Sequence, residues 1–419
     1  MAGLRASLAR LREMRRLFER RLADAATKPA RPTPDREVSL LEITAFGSNP
    51  GNLRLFAHVP QELSANPPLV VALHGCTQDA HAYARGTGWP DLADRFGFVV
   101  IFPEQQAANN PKNCFSWFLP GDTTRESGEA LSIRQMTEKA IAEFGLDRSQ
   151  VFITGLSAGG AMASVMLATY PEMFAGGAII AGLPYGSAAS VQEAFEAMFN
   201  GTTASSRALG DRVRGASRHI EPWPRISVWH GTTDTVVAPS NGNSVIAQWI
   251  NVHGLPVQPS GEELVSGYIR RVWNGKTGVP QLEAFSIEGM GHGEPLGDTS
   301  EDGCGALGAF FLDVGISAAR EIVRFWKLDS ASLTRQAPKT RAAPRRAAPQ
   351  VPHQAEPAAP TLFAAGSRPA DSPFSPDAVI AAAFKAAGLP DLAVRTDGSN
   401  RIDPDAIIDV ALRAAGIRR

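Results

Sequence analysis

Apolar side chains along this chain follow two rhythms. A continuous apolar run occupies Pro68–Gly75, and Phe98–Phe102, Val151–Thr154, Gly176–Ala181, Arg225–Trp229 and Gln281–Ile287, the last, are further strand candidates. Runs of this kind read as strands covered on both faces. Between them, Trp89–Phe96, Ser127–Phe144 and Gly160–Thr169 carry apolar residues at helical spacing. Strands that alternate with helices predict a mostly parallel sheet with helices on both sides. Upstream, Leu40–Phe46 and Leu53–Val59 form a strand pair around the turn Asn49-Pro50-Gly51-Asn52. This places one large domain at residues 39–329. Residues 184–224 interrupt the alternation with a polar, partly helical insertion, which reads as a cap near the strand ends.

The flanking segments follow other patterns. In residues 1–38, Leu4, Leu8, Leu11, Met14, Phe18 and Leu22 share a helical face with arginines opposite. Such a helix packs on its own domain or a second subunit, or else lies on an anionic surface. Residues 25–37 hold three prolines and read as a linker. Residues 330–372 are rich in Pro, Ala and Arg and predict a disordered basic tether. In residues 373–419, Pro376–Leu389 and Pro404–Ile417 repeat one another. Each copy has a cap residue (Ser375 or Asp403), a proline at the first helical position and a glycine near its end. Two helices this short must pair and dock on a partner or on the main domain.

Composition removes several classes of function. A net charge of −1 gives no electrostatic case for nucleic acid. No apolar run approaches the roughly 20 residues that span a bilayer. The arginine-studded start lacks the apolar core of a secretory signal, so the expected location is the cytoplasm, with secretion as the alternative. Three cysteines do not make a disulfide scaffold, although one bridge, Cys76 to Cys114, is possible. No Cys/His cluster has zinc spacing, so no metal and no cofactor are expected.

The chemistry concentrates at Gly155-Leu156-Ser157-Ala158-Gly159, between a strand and a helix. In that context G-x-S-x-G is a nucleophile elbow, with Ser157 exposed at a helix N-terminus and small residues where strand and helix pass. A serine nucleophile needs a base, and the base needs an orienting acid. After an elbow the expected order is Ser, acid, His. Asp234 follows the strand ending at Trp229, and His292 tips the Gly-rich loop after Phe285–Glu288. Glu294 and Asp298 are alternatives for the acid. His74 and His230 read as supporting groups beside strand ends. The main-chain amides of Ala158 and Cys76 are the candidate oxyanion donors. Trp117 is a candidate pocket wall or a core tryptophan, and His74 joins it as a candidate substrate contact.

Taken together, Leu73-His-Gly-Cys-Thr-Gln78, Gly155–Gly159, His230-Gly-Thr-Thr-Asp234 and Gly291-His292-Gly293 resemble the polyhydroxyalkanoate (PHB) depolymerase family of α/β-hydrolase esterases. Asn113–Phe118, Ala181–Gly186 and Phe311–Ser317 extend the resemblance, which covers about Leu40 to Leu328. It implies an α/β-hydrolase fold, Ser157, Asp234 and His292 as the triad, and Cys76 and Ala158 as oxyanion donors. The implied activity is ester hydrolysis through an acyl-enzyme on short-chain polyhydroxyalkanoate or its oligomers. Feruloyl or acetylxylan esterase activity is the alternative, and non-catalytic partner binding a remote one. Many members are secreted. The implied partner is an ester substrate, with polymer-granule or protein contact through the C-terminal tail.

Overall fold

The computed structural model describes residues 2–26, 38–63, 65–297 and 304–329. Most of the proline-rich linker, Asp298, the basic tether and the two-helix repeat lie outside the described residues.

Twelve strands are described: β1 Leu41–Glu42, β2 Arg54–His58, β3 Leu69–Leu73, β4 Val99–Glu104, β5 Val151–Leu156, β6 Gly176–Ile180, β7 Arg225–Gly231, β8 Gly261–Val265, β9 Tyr268–Asn274, β10 Pro280–Ile287, β11 Glu294–Leu296 and β12 Phe311–Asp313. The main sheet runs β1-β2-β4-β3-β5-β6-β7-β10-β9-β8, and β11 pairs with β12 in a small parallel sheet. From β4 through β10 all neighbours are parallel, while β1, β2, β8 and β9 join antiparallel at the two edges. Every residue of β3, β4, β5 and β6 is buried, as both-face helix cover requires. The fold is that of an α/β-hydrolase, as the sequence predicts.

The hairpin β8–β9 is the main element that the hydrophobic pattern does not announce. β8 is polar and mostly exposed and β9 is half-buried, and both lie spatially outside Gln281–Ile287, which is the last strand of this sheet in chain order. Arg271 pairs with Glu262 at 2.9 Å, and Arg270 bridges Glu263 and the buried Glu283 of β10. Ser266 and Gly267 both have positive φ, the geometry of a tight two-residue turn.

The insertion at 184–224 contains the helices Val191–Asn200 and Ser206–Gly215. They dock on the helix Ser240–His253. Asn241 Nδ2 donates to the Ala197 and Met198 carbonyls, and Arg214 donates to Asn251. The N-terminal helix, Ala2–Ala26, packs on this insertion through Phe18 and Phe195, whose rings lie 5.6 Å apart. Its apolar face therefore covers the chain's own domain. Among the described residues, no hydrogen bond or ring contact joins the insertion to Ser157 or His292.

Candidate active site

Ser157 stands between β5 and the helix Ala158–Thr169 with φ 58° and ψ −117°. A non-glycine residue held there costs on the order of 1–3 kcal/mol, so the surroundings must enforce it. The Ser157 N–H donates to Ile180 O at 2.8 Å, and its carbonyl accepts from Ala161 N at 2.9 Å. The flanking glycines are steric necessities. A Cβ on Gly155 would sit 2.4 Å from the Gly159 carbonyl carbon, and one on Gly159 would sit 2.2 Å from Leu73 O.

Asp234 and His292 arrive on two loops stitched to one another. The Thr233 N–H donates to Met290 O, and Gly289 N–H donates to Thr232 Oγ1. Gly231 allows the approach, since a Cβ there would lie 2.3 Å from Met290 O. His292 Nδ1 donates to Asp234 Oδ2 at 2.7 Å, and His292 Nε2 lies 2.9 Å from Ser157 Oγ. Asp234 Oδ1 accepts from the Val236 and Val237 amides at 2.8 and 2.9 Å. All three side chains are buried. Burial works to raise the Asp234 pKa, but His292 and His230 outweigh it and hold the carboxyl well below the usual range. The arrangement can take a proton from the serine hydroxyl and hold the resulting imidazolium beside a fixed carboxylate.

His230 belongs to this cluster. Its Nε2–H donates to Val237 O at 2.9 Å and lies 3.4 Å from Asp234 Oδ2. Glu294, weighed as an alternative acid, faces elsewhere and accepts from Tyr83 Oη at 3.4 Å. Its other oxygen has no partner among the described residues, and burial pushes its pKa up to about 8. From about pH 4.5 to pH 8 the unfolded chain loses this proton while the folded protein keeps it, so stability falls as pH rises. Glu294→Gln is expected to match the wild type near pH 4.5 and to exceed it at pH 9, at about 1.4 kcal/mol per pKa unit removed. Urea melts at both pH values check this, and a stability difference independent of pH would contradict it.

The candidate oxyanion side is built on a buried polar network. The Ala158 N–H opens its helix and has no intrahelical acceptor. Opposite it, the Gly75 carbonyl accepts from His74 Nδ1 at 2.8 Å, and the Gly75 N–H donates to Gln78 Oε1. The Gly75 carbonyl and Cys76 N–H form one peptide unit, so His74 orients the amide that the sequence offers as a donor. The Gln105 N–H donates to His74 Nε2, and Gln105 Nε2 donates to the buried Glu129. Both ring nitrogens of His74, offered by the sequence as a substrate contact, are engaged within the protein. The ring is buried, and desolvation lowers its pKa to about 4, which keeps it neutral. Trp117 is also buried, edge-on to Phe118.

Cys76 is bonded to Cys114, 38 positions later. Cross-linking a loop of that length stabilises by about 4 kcal/mol on the chain-entropy model. Cys114→Ser is expected to lower the melting temperature by about 10 °C and to reduce kcat as the Cys76 amide loosens. Calorimetry and steady-state rates check this, and an unchanged melting temperature would count against it.

A cavity of about 230 Å3 adjoins this region, lined by Thr77, Gln78, Arg85 and Gly86 and by Phe310 and Phe311. Phe310, at φ 65°, sets its ring edge-on to His292 with 6.2 Å between centroids. No local pattern marks Phe310 in the sequence, and the resembling segment begins one residue later. Trp117 is not among the lining residues.

Fold and site together define an α/β-hydrolase of the serine ester hydrolase class. The sequence pattern of the family Esterase PHB depolymerase matches residues 57–263. Poly(3-hydroxyalkanoate) depolymerase C of Paucimonas lemoignei is 46% identical over 290 residues, which cover 69% of this chain and 70% of that one. Feruloyl esterase B of Thermothelomyces thermophilus is 33% identical over 263 residues, 61% of this chain and 88% of that one. Among solved structures, an acetyl xylan esterase from Aspergillus awamori superposes with a TM-score of 0.59 at 26% identity, covering 70% of this chain and all of that one. The chain belongs to the esterase PHB depolymerase family and is a carboxylic ester hydrolase. Among the described residues, no helix is long and apolar enough to cross a membrane.

Proposed function

We propose that Ser157 attacks the ester carbonyl while His292 takes its proton, with Asp234 orienting the imidazole and stabilising its charged form. The continuous hydrogen-bonded chain from Asp234 through His292 to Ser157 carries this reading. The amides of Cys76 and Ala158 receive the oxyanion. His292 then gives the proton to the departing alcohol. Water, activated by the same imidazole, cleaves the acyl-enzyme.

The proposed substrate is a short-chain polyhydroxyalkanoate or its oligomers. The relative at 46% identity is named a poly(3-hydroxyalkanoate) depolymerase. The cavity is lined by Phe310, whose ring stands edge-on to His292, so it lies beside the base. Gln78, on its wall, has a buried Nε2 with no acceptor among the described residues. A 3-hydroxybutyrate trimer is expected to be cleaved with a higher kcat/KM than methyl ferulate or acetylated xylan, as measured by acid release. The reverse order would replace this substrate with the feruloyl or acetylxylan alternative.

The Cys76–Cys114 bridge weighs toward an oxidising compartment and against the cytoplasm. Contact of the C-terminal segment with a polymer granule is part of the same proposal, and a chain cut at Ser330 that bound granules undiminished would remove it.

A further inference from the structure

The N-terminal helix Ala2–Ala26 lies outside the matched region 57–263, and the catalytic scheme does not use it. Yet one of its side chains reaches the loop that carries the acid. Arg21 Nη1 donates to the Thr235 carbonyl at 2.7 Å, across 214 positions of sequence. Its guanidinium lies over the Phe199 ring at 4.7 Å. Arg10 pairs with Glu196 at 3.0 Å, and Phe18 rests on Phe195, so the helix is seated against the insertion along several turns.

The Thr235 carbonyl and the Val236 N–H are the two ends of one peptide unit, and that N–H is the donor to Asp234 Oδ1 at 2.8 Å. A cation bound at the carbonyl draws electron density toward the oxygen and makes the N–H a stronger donor. It also fixes the plane of the peptide. We infer that Arg21 is a positioning residue for the reaction, holding the Thr235–Val236 peptide and, through it, the Asp234 carboxylate that orients His292. The N-terminal helix is then a brace for the acid loop.

Two substitutions separate this role from simple packing. Arg21→Met keeps the length and the cover on Phe199 but loses donor and charge, whereas Arg21→Lys keeps both. In the full chain, Arg21→Met is expected to lower kcat on 4-nitrophenyl butyrate by about three- to tenfold, with KM and melting temperature little changed. Arg21→Lys restores at least about half of the wild-type kcat. The low-field proton resonance of the His292–Asp234 hydrogen bond should move upfield in the Met variant and return in the Lys variant. An unchanged kcat in Arg21→Met would overturn the inference, as would equal losses in both variants with matching drops in melting temperature. Should Arg21→Met not fold, Arg21→Leu, which likewise lacks donor and charge, replaces it under the same criteria. The inference rests on the triad reading, so Ser157→Ala is assayed in parallel. Wild-type turnover by Ser157→Ala defeats that reading itself. An inactive Ser157→Ala beside a fully active Arg21→Met defeats only the role of Arg21.

Discussion

Ser157→Ala is expected to lower kcat for 4-nitrophenyl butyrate by about 10⁴- to 10⁶-fold, leaving KM within a small factor. The size follows from what the hydroxyl does. It is the atom to be acylated, it lies 2.9 Å from the base, and the strained turn that presents it is held by main-chain bonds that alanine also makes. The fold should therefore survive, because the Ser157 N–H to Ile180 O bond and the two flanking glycines are untouched. What activity persists would come from the amides of Cys76 and Ala158 acting on attack by water. Mass spectrometry after treatment with a fluorophosphonate gives a second reading: one adduct on the peptide containing position 157 in the wild type, and none in the variant. A variant that retained the adduct and the turnover would place the nucleophile elsewhere.

Asp234→Asn carries the next largest effect, a loss of about 10⁴-fold in kcat. Three groups donate to the carboxylate, the amides of Val236 and Val237 and His292 Nδ1, while His230 Nε2 lies 3.4 Å from Oδ2 with its proton on Val237 O. An asparagine has one acceptor and one donor, so one face of its amide must meet donors in either orientation. If the NH₂ faces His292, the ring takes the tautomer with its proton on Nε2, and it can no longer accept the proton of Ser157. If it faces the loop amides, the loop opens. The first outcome leaves the melting temperature near that of the wild type, and the second lowers it. A single-turnover acylation rate beside a thermal melt distinguishes them, and full activity would show that the imidazole needs no orienting carboxylate.

Much of this site was legible before any fold was known. The G-x-S-x-G elbow declared itself because its chemistry needs tiny neighbours on both sides of one serine, a local demand written in consecutive letters. Asp234 and His292 were legible because a parallel sheet delivers its functional loops at one edge of its strands. A side chain just past a buried apolar run is thereby placed near that edge. The Cys76–Cys114 pair was open from sequence and is bonded in the structure.

Other features had no local signature. His74 reads as a plausible ligand contact in sequence, but its ring is spent on Gly75 and Gln105, partners set by the packing of β3 beside β4. The hairpin β8–β9 escaped because an exposed edge strand needs no apolar run. Its cohesion comes from ladder bonds and from Arg270 and Arg271 reaching glutamates on neighbouring strands. Arg21 was one arginine among several on an amphipathic helix, and only the folded chain shows it at Thr235.

The division between the two sources has one cause. Whatever depends on a residue and its immediate neighbours is written along the chain: the alternation of strands and helices, the elbow, and the order of nucleophile, acid and base. Which distant peptide each polar group holds is settled only by folding. Burying a donor or acceptor is costly unless it finds a partner, and which partner lies within about 3 Å depends on how separate elements pack.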